Sequence, residues 1–228
     1  MIDGIVFDKD GTLFDFHISW GRWASTFLAQ MARDEPHAMR MGAAIGFNPA
    51  TGQFSADSLV IAATASDIAY ALRLEIPQMT TPQLTEIIDD AAAGATMAEA
   101  VPLRPLLTLL RGQALKLGVA TNDSEGPARA HLTAHRITDL FDFIAGSDSG
   151  YGAKPGPGMC QAFARSVGLD PSRVAMVGDS KHDLDAGRAA GMVTVAVLTG
   201  IASRADLLPH ADVVLHDIGE IPDWLRGL

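Results

Sequence analysis

The fold is decided by residues 2–13, which read Ile2-Asp3-Gly4-Ile5-Val6-Phe7-Asp8-Lys9-Asp10-Gly11-Thr12-Leu13. The apolar run at positions 5–7 contains β-branched residues and does not alternate with polar ones, which predicts a strand buried on both faces. Asp8 ends the run, and Asp10 follows it before a turn-forming glycine. Carboxylates just after a buried strand lie where open α/β sheets keep their active sites. A solvated acidic turn has the same pattern, so the rest of the chain must decide between the two.

Composition bounds the answer. The chain has 228 residues, 48% of them hydrophobic, and a mean hydropathy of +0.17, which predicts one α/β domain or a core with a smaller domain. A single cysteine, Cys160, excludes an internal disulfide, and no apolar stretch reaches the length of a membrane span. We therefore expect a cytoplasmic protein with no membrane partner. The net charge of −10 argues against nucleic acid, and an anionic substrate would need a metal or local cations.

The chain after residue 100 alternates short apolar runs with helical patterns. This rhythm predicts a doubly wound, Rossmann-like α/β core whose parallel sheet includes the first strand. Gly168 and Gly191 follow two of the predicted helices and are typical stop signals. The predicted strands cover residues 115–121, 141–145, 174–177, 193–198 and 213–215, and the predicted helices cover 127–135, 159–167 and 184–190.

Residues 17–99 have long helical patterns and no convincing strand. We expect them to form an all-helical cap domain, inserted after the first strand of a core made of residues 1–16 and 100–228. The predicted helices of this insert begin at Ser19, span 57–74 and begin again at Thr81-Pro82, with a turn between helices at 48–52.

Polar side chains follow four of the predicted strands. Because the carboxyl ends of parallel strands share one edge of a sheet, we expect these side chains to converge. Clustered carboxylates suit Mg²⁺, while a hydroxyl, backbone N–H groups and a lysine suit a phosphoryl group. One aspartate can then attack phosphorus while another moves the proton. The candidates, in chain order, are Asp8, Asp10, Thr121, Asn122, Lys154, Asp179 and Asp183.

These motifs resemble those of the haloacid dehalogenase (HAD) superfamily, in the order in which that family carries them. Asp8-Lys9-Asp10-Gly11-Thr12-Leu13 resembles its first motif, Thr121-Asn122 its second, Lys154 its third and Gly178-Asp179-x-x-x-Asp183 its fourth. The resemblance covers the whole chain. The insert is similar to the family's C1-type helical cap, and the nearest branch is the phosphoglycolate phosphatase-like one.

The resemblance implies a role for each matching residue. Asp8 would be the nucleophile and Asp10 the general acid/base, with Lys154 offsetting charge between Asp8 and the bound phosphoryl group. Thr121 and Asn122 would bind that phosphoryl group. The implied cofactor is Mg²⁺, held by Asp8, the carbonyl of Asp10, Asp179 and Asp183. The implied function is a Mg²⁺-dependent phosphatase that hydrolyses a small, phosphoglycolate-like phosphomonoester through an aspartyl-phosphate.

Three alternatives stay open. A phosphomutase of the same architecture would transfer the phosphoryl group instead of releasing it to water. A non-catalytic binding protein on the same fold is disfavoured by the joint presence of the candidate residues. A dehalogenase is disfavoured because carbon–halogen displacement needs no metal. Lys9 between two aspartates also resembles the phosphorylation motif of transport ATPases, but those have threonine at the place of Asp10.

The choice of substrate must come from the insert, because the core residues suit any phosphoryl group. If the substrate carries a carboxylate, as phosphoglycolate does, the insert needs a cation, and we predict Arg22 for this role. His182 lies beside the fourth motif, but Mg²⁺ prefers oxygen ligands, so we interpret it as a solvated loop histidine. His17 lies at the hinge between core and insert and is a weaker candidate for a contact with the substrate. The substrate itself, a small phosphorylated metabolite, and the oligomeric state are left open.

Overall fold

The structure is a computed structural model that describes residues 1–227. Its strands are β1 (Gly4–Phe7), β2 (Phe47–Asn48), β3 (Gln53–Phe54), β4 (Lys116–Ala120), β5 (Phe143–Ala145), β6 (Val174–Gly178), β7 (Val193–Val197) and β8 (Val213–Leu215). Its helices are α1 (Phe16–Met31), α2 (Glu35–Ala44), α3 (Ala65–Leu72), α4 (Thr81–Ala93), α5 (Leu103–Gly112), α6 (Glu125–Ala134), α7 (Gly158–Val167), α8 (Lys181–Ala189), α9 (Arg204–Leu207) and α10 (Ile221–Arg226). None of these helices is both long and apolar enough to cross a bilayer.

Six strands form a parallel sheet in the order β5-β4-β1-β6-β7-β8. β1 lies in the middle of this sheet, and all four of its residues are buried, as its unbroken apolar run predicts. The predicted α/β class is confirmed, and all six predicted strands are present. The order reverses at β1, which makes the edge beyond β1 a binding crevice of the kind found in doubly wound sheets.

The register of the central strands brings the motifs together. Phe7 lies beside Val119 of β4 on one side and Val177 of β6 on the other. Asp8 directly follows Phe7. Thr121 and Asp179 come two residues after the partners of Phe7, so all three side chains start from one edge of the sheet.

The helices of the core begin and end where local chemistry allows. Gly168 caps the C-terminus of α7 with φ of 68°, the left-handed conformation that glycine adopts without strain. The predicted helix at 184–190 starts three residues earlier, at Lys181. The Ser180 hydroxyl accepts a hydrogen bond from the Asp183 N–H, while the Asp183 carboxylate accepts one from the Ser180 N–H. This capping box satisfies two N–H groups of the first turn.

The prediction of an all-helical insert was wrong in two places. β2 and β3 form a short antiparallel hairpin, and the predicted turn at 48–52 joins these strands instead of two helices. The predicted helix at 57–74 is a 3-10 turn (Leu59–Ile61) followed by α3. Thr64 explains the break, because its side chain and that of Asp67 form a capping box that starts α3 at residue 65.

Other helix boundaries also differ from the prediction. α1 starts at Phe16 because Asp15, not Ser19, accepts the capping hydrogen bond, from the N–H of Ile18. α2 and α5 were not predicted at all. α5 carries Pro105 in its first turn, where the missing N–H costs no helical hydrogen bond.

Backbone hydrogen bonds hold together the two segments that connect the insert to the core. The N–H of Asp15 donates to the carbonyl of Ala98 at 2.8 Å, and the N–H of Ala100 donates to Leu13 at 3.0 Å. One continuous cluster of buried side chains runs from the sheet into the insert, including Leu117 on β4 and Phe27 on α1. The division into residues 1–16 with 100–228 and residues 17–99 stays a prediction.

Candidate active site

Three carboxylates converge at the centre of the sheet edge. Asp8 follows β1, Asp179 follows β6, and Asp183 lies in the first turn of α8. One oxygen of each lies within 4.8 Å of the others, and the three residues are only 6%, 3% and 1% exposed. The backbone at Gly11 and Gly200 packs so closely on Asp179 that a Cβ at either glycine would overlap its carboxylate. The position of Asp179 is therefore fixed from two sides.

Lys154 is the cation of this cluster. Its ammonium donates to Asp8 Oδ1 at 2.5 Å and to the carbonyl of Ala120 at 2.8 Å, and it lies 2.6 Å from Asp183 Oδ1. The amide of Asn122 holds the lysine backbone from both sides, accepting from the Lys154 N–H at 2.8 Å and donating to its carbonyl at 2.9 Å. Asn122 therefore sets the position of Lys154.

The electrostatics show an excess of negative charge. Burial raises the pKa of Asp8 to about 7, with Asp183 and Asp10 adding to the rise and Lys154 opposing it. Burial and the neighbouring Asp183 and Asp8 also raise the pKa of Asp179. Burial lowers the pKa of Lys154, but Asp183 and Asp8 more than offset this and leave it above its ordinary value. A divalent cation would remove this repulsion, and the all-oxygen donor set suits a hard ion.

A second cation, Lys9, lies completely buried beside Asp10. Its ammonium is 2.6 Å from Asp10 Oδ1, 3.2 Å from Asp123 Oδ2 and 3.2 Å from His131 Nδ1, and it lies 5.3 Å from the ring centroid of Trp20. We call these five residues the Lys9 cluster. It restrains Asp10 and joins the first motif to α6 and to the insert.

His131 is neutral within this cluster. Burial, followed by the charge of Lys9, lowers its pKa to about 4. Its Nε2 lies 2.7 Å from the carbonyl of Ala92, so Nε2 carries the proton and donates, while Nδ1 accepts from Lys9. Sequence reasoning missed Asp123 and His131. Asp123 directly follows the second motif, but no pattern in the sequence marks His131 as a partner of Lys9.

A cavity of about 50 Å³ lies between the carboxylates and the insert. The core lines it with six of the seven predicted core residues, all except Asp179, and adds Asp123, Ser180 and His182. The insert lines it with ten residues that carry no charge, which we call the insert wall. Four of these are alanines, and the others are Trp20, Trp23, Val60, Ile61, Ile68 and Ile88.

The chain is similar to known proteins along most of its length. A family model described as haloacid dehalogenase-like hydrolase matches residues 2–191. The chain is 31% identical to the phosphoglycolate phosphatase of Rhodospirillum rubrum over 99% of this chain and 91% of that protein. The chain belongs to the haloacid dehalogenase-like hydrolases. The predicted membership is confirmed.

Solved structures of other proteins share the fold. A predicted phosphoglycolate phosphatase from Haemophilus somnus has a TM-score of 0.74 at 20% identity, covering 98% of both chains. A putative β-phosphoglucomutase from Thermotoga maritima has a TM-score of 0.69 at 19% identity, covering 100% of both chains. At these identities the likeness concerns the fold of this hydrolase and not its substrate.

In the structure of this haloacid dehalogenase-like hydrolase, the predicted residues of the core lie together. Asp8, Asp10, Thr121, Asn122, Lys154, Asp179 and Asp183 all lie at one edge of the sheet. Thr121 is buried, and its hydroxyl accepts from the N–H of Asp123 at 3.1 Å. Asn122 also donates to the carbonyl of Ala62 at 2.7 Å, which ties the second motif to the insert.

The weaker candidates lie apart from these residues. Arg22 is exposed on α1 and does not line the cavity, because Trp20, Trp23 and Phe27 occupy the buried face of that helix. His17 is exposed at the start of the same helix. A role of Arg22 in substrate binding stays a prediction, without support from its position. His182 does line the cavity, at its exposed edge.

Proposed function

We propose that this hydrolase is a Mg²⁺-dependent phosphatase that acts on a small phosphomonoester through an aspartyl-phosphate intermediate. The observation that carries the proposal is the contact of Lys154 with both Asp8 and Asp183, in a buried cluster that Asp179 completes. A nucleophilic carboxylate, a lysine beside it and a carboxylate cluster are the parts that phosphoryl transfer requires.

Asp8 is the nucleophile in this proposal. One of its oxygens attacks phosphorus, and the bond between phosphorus and the alcohol oxygen breaks while Asp10 gives that oxygen a proton. Asp10 then takes a proton from a water molecule, which attacks the phosphorus of the aspartyl-phosphate. The bond to Asp8 breaks, inorganic phosphate leaves, and both carboxyl groups return to their starting states. Lys154 and Thr121 offset the charge on the phosphoryl oxygens.

Mg²⁺ would be held by Asp8, the carbonyl of Asp10, Asp179 and Asp183. The bound ion supplies charge stabilisation to the phosphoryl oxygens and offsets the repulsion among the carboxylates. Asn122 keeps Lys154 in place, and the insert, as a lid of residues 17–99, excludes water.

The substrate in this proposal is a small phosphorylated metabolite. Phosphoglycolate is the first compound to test, because the Rhodospirillum rubrum relative is named for that activity. A cytoplasmic location fits the single buried thiol of Cys160.

The proposal is tested by phosphate release from a panel of small esters. We expect release that stops with a chelator, returns with Mg²⁺ and is lost in Asp8→Asn, together with covalent labelling of the protein by phosphate. The matched control is Asp139→Asn, an exposed aspartate that does not line the cavity, which should keep full activity. Undiminished release in the chelator, or in Asp8→Asn, would contradict the proposal. Transfer to an added sugar phosphate without net release would indicate a phosphomutase instead.

A further inference from the structure

The insert wall presents no positive charge to the cavity. The insert contains four arginines, Arg22, Arg33, Arg40 and Arg73, and no lysine. None of the four lines the cavity, and none lines the wider groove that continues from it past Ile61. A second anionic group on the substrate would therefore meet no positively charged side chain of the insert in the cavity or the groove.

The two buried lysines of the core near the cavity are already paired with carboxylates. Lys154 contacts Asp8 and Asp183, and it has to serve the phosphoryl group. Lys9 does not line the cavity and is enclosed by Asp10 and Asp123. Burying an unpaired carboxylate in such surroundings is strongly unfavourable. The carboxylates of Asp8 and Asp183, which line the cavity, would also repel a carboxylate of the substrate.

The adjoining groove has one further lysine, Lys181, which is exposed and already paired with a carboxylate. Its insert side carries Asp57, Asp67 and Tyr70. On the core side, the ammonium of Lys181 pairs with Asp185 at 2.6 Å. His182 is the remaining ionisable nitrogen in the groove, and it is exposed to solvent.

The polar side-chain atoms that the insert wall does offer are two indole nitrogens. Trp20 Nε1 and Trp23 Nε1 are buried and have no acceptor within residues 1–227. An indole N–H can only donate, so it pairs with an oxygen of the ligand. Both residues are at least nine-tenths buried, and both line the cavity. At about 50 Å³, the cavity leaves room for only a few atoms the size of water.

We infer that the preferred substrate is the phosphate ester of a compact, uncharged alcohol, with an oxygen that accepts from the indoles of Trp20 and Trp23. This inference rests on the proposed function and names the substrate class of that site. A carboxylate at the same place, as in phosphoglycolate, could accept from the same indoles but would have no counter-charge in the insert wall.

The test compares two esters of equal length, 2-hydroxyethyl phosphate and 2-phosphoglycolate, at neutral pH with Mg²⁺. We expect kcat/KM to be at least about tenfold higher for the hydroxyethyl ester, because the carboxylate must give up its hydration without a counter-charge. Equal or faster hydrolysis of phosphoglycolate overturns the inference and leaves the phosphatase proposal standing. Absence of phosphate release from every ester contradicts the phosphatase proposal itself.

The indoles are tested separately with Trp20→Phe and Trp23→Phe, which keep an aromatic ring and remove the N–H. We expect the ratio of kcat/KM for 2-hydroxyethyl phosphate over propyl phosphate to fall about three- to tenfold in at least one variant, the range of one hydrogen bond. Trp224→Phe is the matched control, because Trp224 lies on α10 and does not line the cavity. Its ratio should not change. An unchanged ratio in both wall variants overturns the role of the indoles.

Discussion

Lys9 shows how one residue can hold several parts of the site. Burial lowers the pKa of Lys9, but Asp10 and Asp123 outweigh this effect and leave it above its ordinary value. In Lys9→Met a side chain of similar length remains, while two largely buried carboxylates lose their counter-charge. We expect the free energy of unfolding to fall by about 3–5 kcal/mol, the usual cost of breaking a buried pair. Urea denaturation measures this loss.

The control for this prediction is Lys116→Met. Lys116 is exposed, and its ammonium lies 3.6 Å from Asp142. Exposed pairs of this kind contribute at most about 1 kcal/mol, because water and side-chain entropy offset the attraction. If Lys9→Met costs no more than Lys116→Met, the Lys9 cluster does not stabilise the fold as its geometry indicates.

His131 makes stability depend on pH. Its folded pKa of about 4 is below the ordinary value of 6.5, so between these values the unfolded chain binds a proton that the folded protein does not. Its contribution is complete above pH 6.5 and is lost as pH falls towards 4. This loss lowers the free energy of unfolding by up to about 3 kcal/mol. Lys9, Asp10 and His135 are the charged or ionisable groups around the imidazole.

The measurement is the difference in unfolding free energy between the natural protein and His131→Gln, followed from pH 7.5 to pH 4. We expect the advantage of the natural protein to shrink over this range. The matched control is the replacement of His17, which is exposed, by Gln. Burial raises the pKa of Asp8 and Asp123, so these two carboxyl groups change the stability with pH in the opposite direction. Both proteins contain them, and the difference between the two proteins removes their contribution. A difference for His131→Gln that does not change with pH would contradict the prediction.

At the scale of elements, the turn from β6 into α8 is closely packed against the site. A Cβ added at Gly178 would overlap the side chain of Asp183. In Gly178→Ala we expect Asp183 to move away from Lys154, with at least a tenfold loss of activity and a loss of about 1–3 kcal/mol in stability. Gly126→Ala is the control, since no atom lies within 4 Å of its added Cβ. Because Gly126 lies in a helix, the Gly126→Ala protein should keep its activity and lose no stability. Equal effects of the two substitutions would contradict this account.

The elements also show what sequence patterns can predict. β1, β4 and β6 were predictable because each is a buried apolar run followed directly by a polar motif, and parallel pairing alone then brings Asp8, Thr121 and Asp179 together. The β2–β3 hairpin was not predictable, because strands of two residues have no periodicity. The partners of Lys9 were missed for a different reason: the contact between Lys9 and His131 spans 122 residues and depends on how α6 packs against α4.

Across the whole molecule, the site is formed where a continuous apolar core meets a concentration of negative charge. The core extends from the sheet into the insert, so the sheet edge and the insert wall enclose the cavity together. The chain as a whole carries a net charge of −10. Three of its carboxylates lie within 4.8 Å of one another, with Lys154 as their only contacting ammonium in the described chain. The negative charge that favours binding of a cation at this site therefore also destabilises the folded protein when no cation is bound.

A stability measurement can test this balance independently of catalysis. At a Mg²⁺ concentration of about 100 times Kd, binding to the folded state alone should raise the free energy of unfolding by about 2.7 kcal/mol over the value in a chelator. Asp179→Asn removes one of the repelling carboxylates, so it should be more stable than the natural protein in the chelator and gain little from Mg²⁺. The exposed Asp139→Asn variant should respond to Mg²⁺ like the natural protein. Urea unfolding of the three proteins, each with and without Mg²⁺, gives these values. An equal Mg²⁺ response in Asp179→Asn would mean that the ion binds elsewhere.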